Sequence, residues 1–328
     1  MKQRVGKVIF AVVAIAVTVF AGINAASSGG GAAARSKLTL IAPAAPGGGW
    51  DGFARASQKA IKDVGASNNV QVVNIPGAGG TIGLSQFVTS MSGSEDKLLV
   101  TGAVMIGAIE LEGRGDNQLE QTTPIARVSD DYVVLAVPAS SDIKTLDDFV
   151  AKLKADPAGT SIAGGSLGSV EHLMIADVVR KSGVDPQQMN YIAYSGGGEV
   201  LSSMLSNTTV AAVTGYNDIA DQVDAGNVRL LGISSPERLE GVDVPTFTEQ
   251  GLDVVFANWR GFVAPGNISE ETRAEYEAII TDMRNSEDWK ESLKRNEWTD
   301  SFMVGAEFEQ FLKSEYKRVA ELVKEVGL

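Results

Sequence analysis

The stretch LTLIAPAAPGGGWD, residues 38–51, runs from a short apolar segment through three consecutive glycines into an aromatic and an acidic residue. Five residues with apolar side chains at four positions read as a buried strand, and the polar periodicity that follows from Asp51 reads as an amphipathic helix. Between them, Pro46 ends the strand side and Gly47, Gly48 and Gly49 remove every Cβ from the turn. A strand handing over to a helix through such a turn points several backbone N–H groups at one place, where the helix dipole favours an anion.

Working outward, the same strand–loop–helix rhythm repeats, which predicts an α/β protein. Strands are expected at 70–75, 98–101, 132–137, 161–163, 189–193, 210–214 and 228–234, with an extended segment at 254–264. Helices are expected at 51–64, 82–91, 146–155, 170–182, 199–206, 270–285, 287–296 and 307–326. Two α/β lobes follow, a discontinuous lobe 1 from 37–130 and 229–328 and an inserted lobe 2 at 131–228, with a ligand cleft between them. A chain of 328 residues is long enough for that division.

Two more junctions are rich in glycine: GGSLGS at 164–169, opening the helix that carries His172, and YSGGG at 194–198. Any one of the three could be an ordinary βα turn, but together, on both lobes, they predict a shared anion site. Asp51 is expected to cap its own helix and to pair with Arg55 one turn on. His172 either fills the lobe face or contacts ligand. Arg260, in the run NWRG at 258–261, suits a carboxylate by its planar guanidinium, or else an internal salt bridge; Trp259 beside it is expected in the core.

Composition removes other chemistries. There is no Cys and one His, so no thiolate zinc site, disulfide framework or Cys nucleophile exists, and no cofactor is expected. A formal charge of −13 argues against nucleic-acid binding. GGSLG at 164–168 formally matches a serine-hydrolase elbow, but the one His lies six residues later, roughly 600° of helix rotation and thus about 120° around from Ser166. A secreted hydrolase using Ser166 is therefore the runner-up from another class. GAGGTIG at 77–83 resembles a dinucleotide turn, yet the next strand, 98–101, ends without the acidic residue a ribose would need.

The N-terminus carries Lys2, Arg4 and Lys7 and then an apolar run of 16 residues, 8–23, followed by the small and polar AASSGGGAAA. This is the layout of an export signal, expected over 1–26 with a flexible tether over 27–36; an uncleaved signal anchor is the competing reading. The body should lie in the periplasm or otherwise outside the cytoplasm. Loss of the three positive charges leaves it at −16.

Taken in order, PGGGWD at 46–51, NIPGAGGTIG at 74–83, GSVEHL at 168–173, YSGGG, DVPTF at 243–247, NWRG and MVGAEF at 303–308 resemble the solute receptors of tripartite tricarboxylate transporters, the TctC or Bug type. The likeness runs from residue 38 to the end of the chain. It implies a type II periplasmic-binding-protein architecture closing on an organic carboxylate, here a citrate-like tricarboxylate or a C4 dicarboxylate. It also implies a monomer that delivers this ligand to the large and small membrane subunits of a permease; a ligand-sensing adaptor would use the same surfaces. The resemblance assigns the first and third glycine loops to one carboxylate and the helix opened by residues 165–169 to its distal part. The candidate set is Pro46, Gly47, Gly48, Gly49 and Asp51; Gly165, Ser166, Ser169 and His172; Tyr194, Ser195, Gly196, Gly197 and Gly198; and Arg260. Ser195 stands where many relatives have Lys, which leaves more of the anion binding to backbone N–H groups.

Overall fold

Leu38, Leu40, Ile41 and Ala42 are all buried, as a strand must be when helices cover both faces of a parallel sheet. The computed structural model describes residues 32–113, 118–194 and 196–327, so the expected signal, the first part of the tether and Ser195 lie outside the described residues. A short helix α1 (Ala32–Ser36) precedes β1 (Leu38–Ala42), with Ala34 in the core and Arg35 paired to Glu275. The last five residues of the expected tether are therefore helical and docked. Lobe 1 continues with α2 (Gly49–Asp63), β2 (Val70–Asn74), α3 (Thr81–Ser90), β3 (Lys97–Gly102) and α4 (Ala103–Leu111).

The next strand, β4 (Thr123–Pro138), has 16 residues and belongs to both lobes. Lobe 2 follows as α5 (Leu146–Ala155), β5 (Ile162–Gly164), α6 (Val170–Lys181), β6 (Tyr191–Ala193), α7 (Gly197–Leu205), β7 (Ala211–Gly215), α8 (Tyr216–Asp224) and β8 (Val228–Ile233). The chain ends with β9 (Ala257–Ala264), α9 (Glu270–Asn285), α10 (Glu287–Arg295), β10 (Thr299–Val304) and α11 (Gly305–Val326). Local chemistry sets several starts. Thr145 and Asp148 form a reciprocal capping box at α5, and Ser269 and Ser286 cap α9 and α10.

The strands run β2-β1-β3-β9-β4-β7-β5-β6, with β10 and β8 also on β4. Pairing of β1 with β2 and β3 is parallel, as is that of β5 with β6 and β7; β4 and β9 are antiparallel to their neighbours. The first half of β4 pairs β9 and β10, and its second half pairs β7 and β8. Alternation along that second half splits the core: Val133, Leu135 and Val137 join the main cluster, whereas Val134 and Ala136 pack with Val200, Ile219, Val228 and Ile233 in a smaller one.

This pairing moves one boundary. The return to lobe 1 was expected at 229, but β8 lies against β4 in the lobe 2 sheet and its ends pack in the smaller core, so the chain crosses back at β9. Three further elements carry no clear signal in the sequence. Helix α4 (AVMIGAIEL) is apolar nearly all round and so has no amphipathic stripe; α8 buries only Ile219; and β10 is an edge strand without full burial. The terminal helix α11 packs on α4 and β4 of lobe 1 and on α6 of lobe 2.

Candidate functional site

A cleft of about 630 Å³ lies where the two lobes meet, within the range of small-molecule sites. Its lobe 1 wall is the turn that opens α2. Gly47 sits at φ +84°, a backbone region that favours glycine, and its N–H donates to Asp51 Oδ2 at 2.8 Å. The same oxygen accepts from Arg55 Nε at 2.9 Å, and Oδ1 accepts from Asn74 Nδ2 at 2.9 Å. Burial works to raise the Asp51 pKa, but the Arg55 guanidinium, the Gly47 N–H and the Asn74 amide together hold it at about 2. Asp51 is thus a brace that shapes the loop. No side chain caps α2, whose N-cap is Gly48, so its first N–H groups face the cleft wall formed by Gly47, Gly48 and Gly49.

The floor is built on the two strands that run between the lobes. Asp131 on β4 lies opposite Asn258 on β9, and the two-residue period of β9 puts Asn258 and Arg260 on one face and Trp259 on the other. Trp259 accordingly packs edge-on against Phe308 and Phe311 in the core. Arg260 donates through Nη2 to Asp131 Oδ2 and lies over the Trp298 ring at 5.2 Å; Arg260 is 6% exposed and Asp131 3%. Burial raises the Asp131 pKa, with Arg260 opposing and Asp218 adding to the rise. Asp131 Oδ1, Asn258 Oδ1 and Arg260 Nη1 are buried without a hydrogen-bond partner.

Lobe 2 supplies the other wall. Ser169 caps α6 by accepting from the His172 N–H, and Gly165 and Ser166 line the cleft ahead of it. Glu171, in the first turn of α6, folds back so that a Cβ on Gly165 would stand 3.1 Å from its Oε2. Burial raises the Glu171 pKa, the Ser169 hydroxyl opposes, and the charges of Asp131 and Asp218 add to the rise. Helix α7 starts at Gly196 with no side-chain cap, leaving its first N–H groups toward the cleft beside Gly197 and Gly198. Asp218 accepts from Thr214 Oγ1 at 3.0 Å, and a Cβ on Gly197 would fall 2.4 Å from its Oδ2. Glycine at 197 is what lets that carboxylate stand in the wall.

Of the residues singled out in the sequence, Gly47, Gly48, Gly49, Gly165, Ser166, Ser169, Gly196, Gly197, Gly198 and Arg260 line this one cleft. Pro46, Asp51, His172 and Tyr194 are not part of its wall. Pro46 is exposed beside the loop, and the Tyr194 hydroxyl donates to Ser203 Oγ in a separate groove. His172 Nδ1 accepts from the Gly168 N–H at 3.0 Å and its ring stacks on Tyr191 at 4.3 Å, whose hydroxyl donates to Gly165 O. Burial lowers the His172 pKa to about 4. It therefore holds the 165–168 turn as a neutral ring with its proton on Nε2. That turn also touches lobe 1, since a Cβ on Gly107 of α4 would overlap Gly168 O at 2.2 Å.

Sequence reasoning missed Asp131, Glu171, Asp218 and Asn258, and left residues 76–80 outside the site although Pro76, Gly77, Ala78, Gly79 and Gly80 all line the cleft. The signal at 129–131 was present, as Ser-Asp-Asp inside a largely apolar strand. Among the described residues no group of three His, Asp or Glu side chains is placed to hold a metal ion, and no helix is long and apolar enough to cross a membrane.

Comparison with known proteins adds the following. The family described as the tripartite tricarboxylate transporter family receptor, TctC, matches residues 53–328. Protein BugT of Bordetella pertussis is 27% identical over 294 residues, covering 88% of this chain and 89% of its own. Among solved structures, MatC from Rhodopseudomonas palustris with bound malate has a TM-score of 0.72 at 22% identity, covering 88% of this chain and 99% of that one. Another R. palustris protein, with adipate, has a TM-score of 0.76 at 18% identity and covers 89% and 97%. These two structures share the two-lobe fold.

Proposed function

The chain belongs to the TctC family of tripartite tricarboxylate transporter receptors, and on that premise we propose that it is an extracytoplasmic solute receptor that takes an organic carboxylate into the interlobe cleft. One observation carries this reading. Two helix N-termini without side-chain caps, α2 from lobe 1 and α7 from lobe 2, open on the same cleft through glycines. A carboxylate bridging them is stabilised by N–H donors and dipoles on both sides, so its binding favours the arrangement in which the lobes close. The malate and adipate complexes of the same fold support a carboxylate as the ligand class. Delivery to large and small membrane subunits is the role this family position implies, and the basic and apolar N-terminus supports export. Glycine loops account for one carboxylate. Three acidic side chains in the cleft wall weigh against a citrate-like trianion.

Thermal unfolding of the chain from residue 27 in a panel of small carboxylates tests this. A ligand at 100 times its Kd adds about 2.7 kcal/mol of stability, a rise of several degrees in Tm. Gly49→Leu and Gly198→Leu, where a Cβ meets only ordinary contact or open space, should fold and lose the shift, about a 100-fold weakening. Stabilisation by another solute class and by no carboxylate would overturn the reading.

A further inference from the structure

We propose that α4 is the stop against which the lobes close, and that Gly107 within it is a specificity-determining residue. The missing side chain at 107 sets how far lobe 2 approaches lobe 1, and so how long a ligand the closed cleft holds. The inference rests on the interlobe carboxylate reading above, but it concerns a helix that stands behind the cleft: of its residues Val104 alone lines the wall.

Two neighbouring residues of α4 carry the argument. On one side, a Cβ on Gly79 would fall 2.5 Å from Ala108 Cβ, and a Cβ on Gly80 3.1 Å from the Met105 methyl, so the lobe 1 turn at 77–80 rests on the helix. On the other side, a Cβ on Gly107 would fall 2.2 Å from Gly168 O and 3.4 Å from Leu173 Cδ1, both of lobe 2. The fit is reciprocal, since a Cβ on Gly168, at φ +77°, would fall 2.2 Å from Leu111 Cδ1. Gly77 to Gly80 line the cleft from one lobe, and Gly165, Ser166 and Ser169 line it from the other. Helix α4 is thus the spacer between two cleft turns, with one residue against each. Glycine is a poor helix former, yet it occupies the middle of α4 at this contact.

Neither side can give way locally. The 165–169 turn is pinned: Gly168 N–H donates to His172 Nδ1 at 3.0 Å, Ser169 N–H to Ser166 O at 3.0 Å, and the Tyr191 hydroxyl to Gly165 O at 2.8 Å. Helix α4 is held by the burial of Met105, Ile106 and Ile109 and by packing on α11 and β9. Beyond its end, Thr81 Oγ1 donates to Glu112 Oε1 at 3.1 Å. Packed interiors transmit strain instead of absorbing it. The lobes pivot on the strands that join them, so a seat away from those strands fixes the closing angle. A methyl group at 107 therefore holds the lobes about 1 Å further apart, the shift that restores an ordinary C···O separation from Gly168. That is close to what one methylene adds to an extended ligand.

Titration calorimetry with straight-chain mono- and dicarboxylates, from acetate and oxalate to octanoate and suberate, tests this. The expected result is that Gly107→Ala moves the preferred length upward, changing the affinity ratio between the next longer acid and the original favourite by about 10-fold. Leu111→Ala, which empties the space beside Gly168 and leaves the backbone alone, should move the preference toward shorter acids by a smaller factor. Gly107→Ala decides if it folds, and Leu111→Ala decides if it does not. An unchanged length preference in the deciding variant overturns the proposal, as does a loss of affinity by the same factor at every length, which is what a merely structural role predicts. If the unmodified chain binds no member of the series, the proposal falls. A rise in Tm with another carboxylate would then leave the carboxylate reading standing, and no rise with any would remove both.

Discussion

The two walls of the cleft are made from the same parts, a strand, a glycine turn and a helix N-terminus, yet they differ in where the acidic side chain goes. On the lobe 1 wall Asp51 turns into the protein, accepting from Gly47, Arg55 and Asn74, and takes no part in the cleft lining. On the lobe 2 wall Glu171 and Asp218 stand against glycines at the cleft itself. Lobe 1 therefore offers donors without formal charge, which any carboxylate can use. Lobe 2, with Asp131 on the shared strand, offers acceptors that discriminate by what else the ligand carries. An overall charge of −13 does not prevent anion binding in such a protein, because the donors that matter are peptide N–H groups.

That contrast can be broken at three places. The largest effect is expected on the strands common to both lobes. Arg260→Met leaves Asp131 buried with its partner gone, which costs roughly 3–5 kcal/mol in urea unfolding. If the loss stays under 1 kcal/mol, the pair does not anchor the floor. Next comes the lobe 1 brace. The Asp51 pKa lies at about 2 in the folded protein against an ordinary 3.8, so its contribution is complete above pH 4 and is lost as pH falls through 4 toward 2. Asp51→Asn should cost about 2 kcal/mol at pH 7, and that cost should shrink to about 0.4 kcal/mol by pH 2. It should also weaken all carboxylates alike, in contrast to Asp218→Asn, which should change their ranking.

The smallest effect is expected at His172. Its folded pKa of about 4 lies below the ordinary 6.5, so the unfolded chain binds the proton first and stability falls as pH drops from 6.5 toward 4. His172→Gln keeps an acceptor for Gly168 and does not titrate. The difference in unfolding free energy between the two proteins should drift by about 1 kcal/mol between pH 8 and pH 6; a flat difference would place the ring in contact with water.

Much of this was legible in the residues. The glycine turns at 47–49, 165 and 196–198 were readable because their chemistry is local: a missing Cβ and an adjoining helix pattern suffice. The brace formed by Asp51 and Arg55 was readable for the same reason, as a pair one helical turn apart. Arg260 was singled out as well, but its partner Asp131 was not, since the two meet across 129 residues and only strand register makes them neighbours. Asp218 looks in the sequence like any acid in the first turn of a helix, and only the packing of α8 against α7 brings it to Gly197. Helix α4 escaped because a segment that is apolar nearly all round has no stripe to show.

The antiparallel pairing of β3 with β9 also dictates an order of events. Leu99 lies opposite Val263, so the inner edge of β3 has no partner until nearly four-fifths of the polypeptide has been made. The lobe 2 sheet, by contrast, draws all its strands from 133–233. Lobe 2, started second, is thus the one able to finish first, while lobe 1 waits with an open strand edge for a closure across more than 150 residues. Closures of that reach are slow and leave a sticky edge in the meantime. The wait ends only when β9 arrives, bringing Asn258 and Arg260 to the cleft floor with it.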